Sequence, residues 1–524
     1  MSTIRYEFIN AALEKVYVLV DHNNHDDKDK KHKYRKQIIL ADESLTESEK
    51  SHAIKLVDKH YDSYKIHLGE GKKRICDNCK EECLATLYCE YCIRNYLKEK
   101  FSNWTSGNND VNDLIRKCQL ESRAPDKIIE WIPYDDLKNI KFLTRGGFSE
   151  IYIADWINGR YKWWDSEQQQ LEKSIVISKV ILKKLENIES ANRSWFDEAK
   201  SHLTITNKWS SIVQCYGLTQ NPLDGKYMLV MRKLDINLRE YLQQNHNKLS
   251  WRERIKIIYY VSHALNNIHI EDAIHRDLHS GNILYYQYTN VWFIADFGLC
   301  GPINKPLESI YGNLPYIAPE VIVDKRYTKA SDIYSVAMLM WEISSGQPPF
   351  VNYEKNYNLA MDIVNGMRPK AISGTPSKYK ELMQQCWDAD PTKRPDIKTI
   401  RNKIREIGKL YYQNISNDDN TKNNNLDEVS SLETINYYYT SGKLSTNKIY
   451  QFDNFPKSRN LTEEEQEAYY SKYSFNIPQN IKEFISNNKN NDSTSEPFKG
   501  NDKVSNLHKE KKKGWKFLKV IKFY

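Results

Sequence analysis

No stretch of this 524-residue chain approaches the ~18 consecutive apolar residues that a membrane-crossing helix needs. Its opening residues, Met1-Ser2-Thr3-Ile4-Arg5-Tyr6-Glu7, lack the apolar segment of a signal peptide. Charge of one sign is not in excess: 77 basic and 69 acidic residues leave a formal net charge of +8, too mild over this length to mark a nucleic-acid binder. Cysteine is scarce. There are nine, and five fall between Cys76 and Cys92, a clustering that argues against a secreted disulfide scaffold and for a reducing, cytoplasmic setting. No fixed-period repeat is present, and no prenylation motif closes the chain. What is there is a 40% hydrophobic, 28% charged chain of mean hydropathy −0.73, which predicts a folded core accompanied by polar stretches.

Composition divides the chain into four parts. Residues 1–70 are polar and rich in His and Lys; the run Asp26 to Lys33 reads as a solvated loop, and apolar periodicity around Ile9–Val20 and Ile54–Val57 predicts helices. Residues 71–130 hold the cysteine cluster and a helical connector broken at Ser106-Gly107-Asn108-Asn109. Residues 137–408 carry β-branched apolar runs first and longer helical patterns after them. Residues 413–524 turn rich in Asn, Ser, Lys and Tyr, too polar to offset the entropy of ordering, apart from a helix predicted from Thr462 by its capping box with Glu465.

The most specific string is His275-Arg276-Asp277-Leu278-His279-Ser280-Gly281-Asn282, followed by Asp296-Phe297-Gly298 and, closing 25 residues counted from Asp296, by Ala318-Pro319-Glu320. This ordered set resembles the eukaryotic protein kinases. The resemblance implies an α+β, bilobal fold with a small β-rich N-lobe and a larger helical C-lobe. It also implies ATP with Mg²⁺ or Mn²⁺ as cofactors and protein substrates. Asp277 would accept or orient the hydroxyl proton, and Asn282 and Asp296 are hard oxygen ligands suited to the metal. Val180-Ile181-Leu182-Lys183 places a lysine after an apolar strand, and Glu198 follows in a helical stretch, matching the kinase lysine–glutamate pair; Lys179 is the competing lysine.

The phosphate-covering loop departs from the family. Thr144-Arg145-Gly146-Gly147-Phe148-Ser149-Glu150-Ile151 keeps only the middle glycine, Gly146, with Gly147 added. Glycines there let backbone amides approach phosphate without a Cβ in the way. Ile181 stands where kinases usually place alanine against adenine, which predicts a crowded slot. The resemblance also assigns Ile151, Ile181, Leu284, the gatekeeper Met231 and the hinge residue Leu234 to nucleotide binding. Asp332 matches the aspartate that braces the catalytic loop, and Glu320 with Arg394 the pair that ties the Ala-Pro-Glu helix down. Asn365 to Pro369 and Cys386 to Pro391 resemble tyrosine kinases and the tyrosine-kinase-like group.

His279 stands two residues after Asp277, where serine/threonine kinases carry lysine, and supports neither acceptor class. Tyr316, just before Ile317 and the Ala-Pro-Glu, resembles the serine/threonine type, and Asn313 replaces the usual threonine. Serine/threonine specificity is the leading expectation; tyrosine or dual specificity, and a pseudokinase scaffold, remain as alternatives. Arg276 beside Asp277 suggests control by an upstream kinase acting on the activation segment, with Ser309 and Tyr311 as acceptors.

Cys76-x2-Cys79 and Cys89-x2-Cys92, nine residues apart, have the spacing of two zinc knuckles, with Cys83 spare; the alternative is a set of reduced cysteines in a small hairpin. Four thiolates leave no open position, so the metal would be structural. A Cys-rich element followed by Trp104-Thr105-Ser106-Gly107-Asn108 ahead of a kinase domain resembles one tyrosine-kinase-like family, with a zinc-ribbon-like module implied. A reading of the cysteine module as a nucleic-acid binder finds no basic and aromatic pattern to support it. Finally, His508–Tyr524 carries seven lysines and one glutamate interleaved with apolar residues. Such a segment would suit an anionic membrane surface or acidic partner, or a solvated basic end.

Overall fold

The computed structural model describes residues 4–22, 27–146, 149–174, 176–187, 194–206, 208–302, 309–418, 448–452 and 454–472. The basic C-terminal segment from His508, together with Gly147, lies outside the described residues.

The chain opens with three helices, α1 (Tyr6–His22), α2 (Lys28–Leu40) and α3 (Glu47–Leu68). They close on a small core of Ile9, Ala12, Val16, Ile39, Leu45, Ala53 and Val57. The expected loop at Asp26 to Lys33 is corrected here: Asp27 caps α2, its carboxylate accepting from the amides of Asp29 and Lys30, so the lysine-rich run is the first turns of an exposed helix. A capping box between Thr46 and Glu49 starts α3, and Gly69 in the left-handed region ends it.

Next come a two-stranded hairpin, β1 (Arg74–Ile75) and β2 (Glu82–Cys83), then α4 (Glu90–Glu99) and α5 (Asn109–Leu120). The polar break before α5 supplies its cap, Asn108. α3 grips this cysteine-bearing piece: Asp62 accepts from the amides of Thr86 and Leu87, and Lys65 Nζ donates to the Leu84 carbonyl.

A six-stranded sheet follows, built from β3 (Glu130–Trp131), β4 (Leu137–Arg145), β5 (Glu150–Trp156), β8 (Ser178–Lys184), β9 (Cys215–Gln220) and β10 (Tyr227–Arg232), in the order β3-β9-β10-β8-β5-β4. The hairpin β6 (Tyr161–Asp165) and β7 (Gln170–Lys173) is inserted between β5 and β8 and packs Leu171, Tyr161 and Trp164 against the cysteine piece. Period-two alternation sorts the faces of the sheet. Val180, Leu182, Met228 and Val230 enter one core with Trp156, while Ile181, Leu229 and Met231 enter another with Ala199 and Leu203 of α6 (Trp195–Thr206). Val111, Leu114, Ile115 and Cys118 of α5 join that second core, so the N-terminal region buttresses α6.

The remainder is mainly helical. Its helices are α7 (Leu238–Asn245), α8 (Trp251–Ile270), α9 (Pro319–Asp324), α10 (Lys329–Ser345), α11 (Tyr357–Val364), α12 (Ser377–Cys386) and α13 (Ile397–Asp418). Small strands β11 (Ile236–Asn237), β12 (Ala273–Ile274), β13 (Ile283–Tyr286), β14 (Val291–Ile294), β15 (Gly301–Pro302) and β16 (Ile310–Gly312) lie between them in sequence. α10 is buried without interruption from Ser331 to Ser344 and forms the axis of this part. A β-rich lobe followed by a helical lobe is the architecture the resemblance implied. Within the stretch read as a polar tail, one piece is folded: β17 (Lys448–Tyr450), a connecting run, and α14 (Glu463–Lys472), started by the Thr462 and Glu465 capping box. Aromatic side chains at Tyr450, Phe452 and Phe455 supply the contacts that the surrounding polar sequence lacks.

Candidate active site

The site lies where the sheet meets the helical lobe. From below, the string 275–282 is held by its backbone. Asp332, 1% exposed at the start of α10, accepts from the amides of His275 (2.9 Å) and Arg276 (3.0 Å) and bonds His269 Nε2 (2.9 Å). Burial works against its charge, but His269 and the His275 amide outweigh it and hold the carboxyl below its usual range. Asn282 Nδ2 donates to the Asp277 carbonyl (2.9 Å) and to Asp277 Oδ2 (3.2 Å), which fixes both side chains. His279 Nδ1 accepts from the Gly281 amide at 3.0 Å, leaving the ring proton on Nε2, 3.6 Å from Asp277 Oδ1.

From above, β8 carries Lys183 into the cleft, where its Nζ lies 2.8 Å from Glu198 of α6 and 2.5 Å from Asp296. Burial would lower the lysine, and the two carboxylates more than reverse it, so its pKa is raised; Asp296 is correspondingly lowered by Lys183 against its own burial. Lys179, the competing lysine, faces outward, 64% exposed on a pair with Asp155. Phe297 is fully buried, with the His202 ring 5.3 Å away and the His275 ring 5.5 Å away, and its amide donates to His202 Nε2. His202 is a residue that sequence reasoning missed; its place on α6, one turn after Glu198, was the available signal.

The expected nucleotide-binding residues fall into two groups. Met231 and Leu234 are buried in one apolar cluster with Ala295, and Ile181 and Leu284 pack against it half-buried; Met231 lies directly opposite Ile181 in the β10–β8 register. Ile151 is opposite Lys183 across β5 and β8, and Gly146, exposed, donates its amide to the Ser149 carbonyl at the rim. Glu320 and Arg394 form a bidentate pair at 2.7 Å, as the resemblance implied.

The expected phosphate acceptors require correction. Ser309 is 7% exposed and Tyr311 fully buried, because Tyr311 sits in β16 with its amide and carbonyl both bonded to the Tyr327 hydroxyl. In this arrangement neither hydroxyl is offered to another enzyme.

The cysteine cluster forms a second site, away from the first. Sγ of Cys76, Cys79, Cys89 and Cys92 all lie within 4.8 Å of one another, with Cys76–Cys92 and Cys79–Cys89 each at 3.6 Å. A tetrahedron of ~2.3 Å zinc–sulfur bonds has edges of ~3.8 Å, so the donor set fits the ion. Burial pushes the Cys76 thiol up, and hydrogen bonds from the Cys79 and Asn78 amides outweigh it, bringing it down to about 7. Cys83, buried in β2, stands outside the quartet.

Comparison with known proteins agrees with this geometry. Residues 137–404 match the family described as protein tyrosine and serine/threonine kinase. A serine/threonine-protein kinase of Arabidopsis thaliana is 31% identical over 323 residues, covering 59% of this chain and 52% of that protein. A probable serine/threonine-protein kinase of Dictyostelium discoideum is 27% identical over 285 residues, 52% of this chain and 20% of its own length. A dual specificity protein kinase of the same organism, zakA, is 32% identical over 198 residues, 34% of this chain and 25% of its own. The matched part of the chain thus spans about half or less of each of these relatives.

Proposed function

The chain belongs to the protein tyrosine and serine/threonine kinase family, and from that membership we propose that it transfers the γ-phosphate of ATP to serine or threonine hydroxyls of proteins. The observation that carries this reading is the closed contact of Lys183 with both Glu198 and Asp296, in one cleft with Asp277 and Asn282. All five polar groups that phosphoryl transfer requires are present and supported.

In this reading Lys183, held by Glu198, positions the α- and β-phosphates. Asp277 orients the acceptor hydroxyl and takes its proton as the oxygen attacks γ-phosphorus and ADP leaves. Asn282 and Asp296 offer oxygen ligands for Mg²⁺ or Mn²⁺, which supplies charge neutralisation on the phosphates. Ile181, Met231, Leu234 and Leu284 receive the adenine. Tyr316, whose hydroxyl bonds Glu342 at 2.5 Å, supports the serine/threonine preference through its place before the Ala-Pro-Glu, as do the names of two relatives. Phosphate transfer from labelled ATP to generic protein substrates, followed by phosphoamino-acid analysis, tests the proposal. Phosphoserine and phosphothreonine are expected; phosphotyrosine in equal share would make the enzyme dual-specific, and no transfer would move it to a scaffold.

We also propose that Cys76, Cys79, Cys89 and Cys92 hold one structural zinc, and that the protein works in a reducing, cytoplasmic setting. The quartet's sulfurs within 4.8 Å of one another support the metal; none of the nine cysteines is in a disulfide, and among the described residues no helix is long and apolar enough to cross a membrane. Metal analysis of protein purified without chelator should find close to one zinc per chain.

A further inference from the structure

The strand β16 lies between Asp296 and Ala318-Pro319-Glu320, in the segment that borders the catalytic loop. It approaches Asp277 closely: Gly312 has φ +117°, and a Cβ there would stand 3.1 Å from Asp277 Oδ1. A strand edge at this place is where an extended acceptor chain would have to lie for its hydroxyl to reach Asp277. That edge is already taken. β17 pairs with it antiparallel, Ile310 opposite Tyr450, Tyr311 opposite Ile449 and Gly312 opposite Lys448.

The occupant is anchored along its length. Tyr450 is 6% exposed, and the Leu314 backbone hydrogen-bonds its hydroxyl; burial, with Asp277 nearby, pushes the phenol up to about 12. The Tyr450 ring stacks on Phe452 at 5.3 Å, and Phe452 and Phe455 both pack on Tyr357 of α11. Further on, the Arg459 amide donates to the Val364 carbonyl, Asn460 Oδ1 accepts from the Ala389 amide at 2.8 Å, and Asn460 Nδ2 donates to Asp388. Gly366 makes room for this run: at φ +106° its missing Cβ would stand 2.6 Å from the Arg459 carbonyl oxygen. Gln466 Nε2 then donates to the Gly366 carbonyl.

We propose that the edge of Ile310–Gly312 together with the Tyr357 face is the docking groove for protein substrates, and that residues 448–452 and 454–461 of this same chain fill it as an intramolecular blocker. The inference rests on the kinase reading for its consequence but not for the contact itself. Tyr450 blocks rather than reacts, because its hydroxyl is engaged by Leu314. The groove therefore favours extended segments with aromatic residues spaced as Tyr450, Phe452 and Phe455 are. A substrate must displace the strap, so its apparent affinity is reduced by the fraction of molecules with the groove open.

The test uses the full chain and two variants confined to the strap, Tyr450→Ser with Phe455→Ser, and Asn460→Asp, which sets a second carboxylate beside Asp388. Hydrogen exchange at 310–312 and 454–461 reports release. KM for a generic protein substrate and KM for ATP report the consequence, and a fluorescein-labelled peptide of sequence 448–461 reports vacancy of the groove. Release should raise exchange at both segments and lower the KM for protein substrate ~fivefold or more, if the strap is closed in four molecules of five, with the KM for ATP within ~twofold. The peptide should bind both variants ~fivefold or more tighter than wild type and exclude protein substrate competitively. Exchange that rises while protein KM and peptide binding stay at wild-type values overturns the proposal, and so does exchange that rises in neither variant. Self-phosphorylation of Tyr450 at high occupancy would make the strap a substrate and equally overturn it. If no form transfers phosphate, the kinase reading fails, and peptide binding alone decides whether the groove exists and is filled.

Discussion

The two halves of the active site are specified in different ways. The lower half is one contiguous string, residues 275–282, buried except at Gly281 and tied by its amides to Asp332. The upper half is assembled from residues far apart in sequence, Gly146, Ile151, Ile181, Lys183, Glu198 and Met231, and apart from Lys183, Glu198 and Met231 these are half-buried or exposed. The lower half is fixed by directional hydrogen bonds, so in the proposed reaction one atom lost there is a function lost. The upper half, where the proposal places the nucleotide, works through shape, and shape tolerates exchange. In the upper half the chain departs from the kinase pattern at the glycine-poor loop and Ile181; in the lower half it departs at His279, and none of the five polar groups is changed.

The comparison yields ordered expectations. Asp277→Asn should lower the rate of transfer by ~10³-fold or more while nucleotide binding stays, since the proton acceptor is lost and the pocket is untouched; rapid-quench turnover and binding of a fluorescent ATP analogue measure the two. If the variant turns over like wild type, the lower half does not do the chemistry. Lys183→Met should cost ~10²-fold in kcat/KM and also lower the melting temperature, because buried Glu198 and half-buried Asp296 are left side by side without their cation. A variant as stable as wild type would show that the pair is not desolvated as the structure has it.

Ile181→Ala should act on the upper half alone. Removing a branched side chain from a packed slot is worth ~1–3 kcal/mol, so the KM for ATP should fall roughly tenfold with kcat within about twofold. An unchanged or higher KM would mean that the slot has relaxed around Ile181. The smallest effect on activity belongs to the metal. Cys79→Ser should abolish bound zinc and Cys83→Ser should leave it, since the Cys83 sulfur is outside the quartet. Transfer should change only a few-fold in Cys79→Ser, since the cysteine piece packs on the β6–β7 hairpin and not on the cleft; an inactive variant would show that it governs α6 through α5.

Legibility in the sequence followed the same division. Asp277, Asn282 and Asp296 stand in strings whose order and spacing identify them, and the structure brings them together with Lys183 and Glu198. The apolar run Val180-Ile181-Leu182 favours Lys183 over Lys179, although both lie on the same strand and the period of two puts both on one face; the position of α6 and Asp296 separates them in the structure. The lysine-rich run at 28–33 was read as loop because charge masked the capping role of Asp27. Ser309 and Tyr311 looked available because nothing nearby in sequence announces Tyr327 or β17.

The sequence by itself determined the family, the string 275–282, the paired spacing of the cysteines and the alternation that builds the two-faced sheet. These are encoded by neighbours a few residues apart, where spacing alone decides which groups can meet. Only the tertiary structure decided that α5 buttresses the helix of Glu198, that Asp332, the bracing aspartate the resemblance implied, acts through the His275 and Arg276 amides, and that a short aromatic run in a polar tail lies along the activation segment. Each of these joins residues from about 57 to 140 positions apart. Such pairings depend on loop closures and on surfaces that exist only once the lobes have folded, and no local pattern carries them.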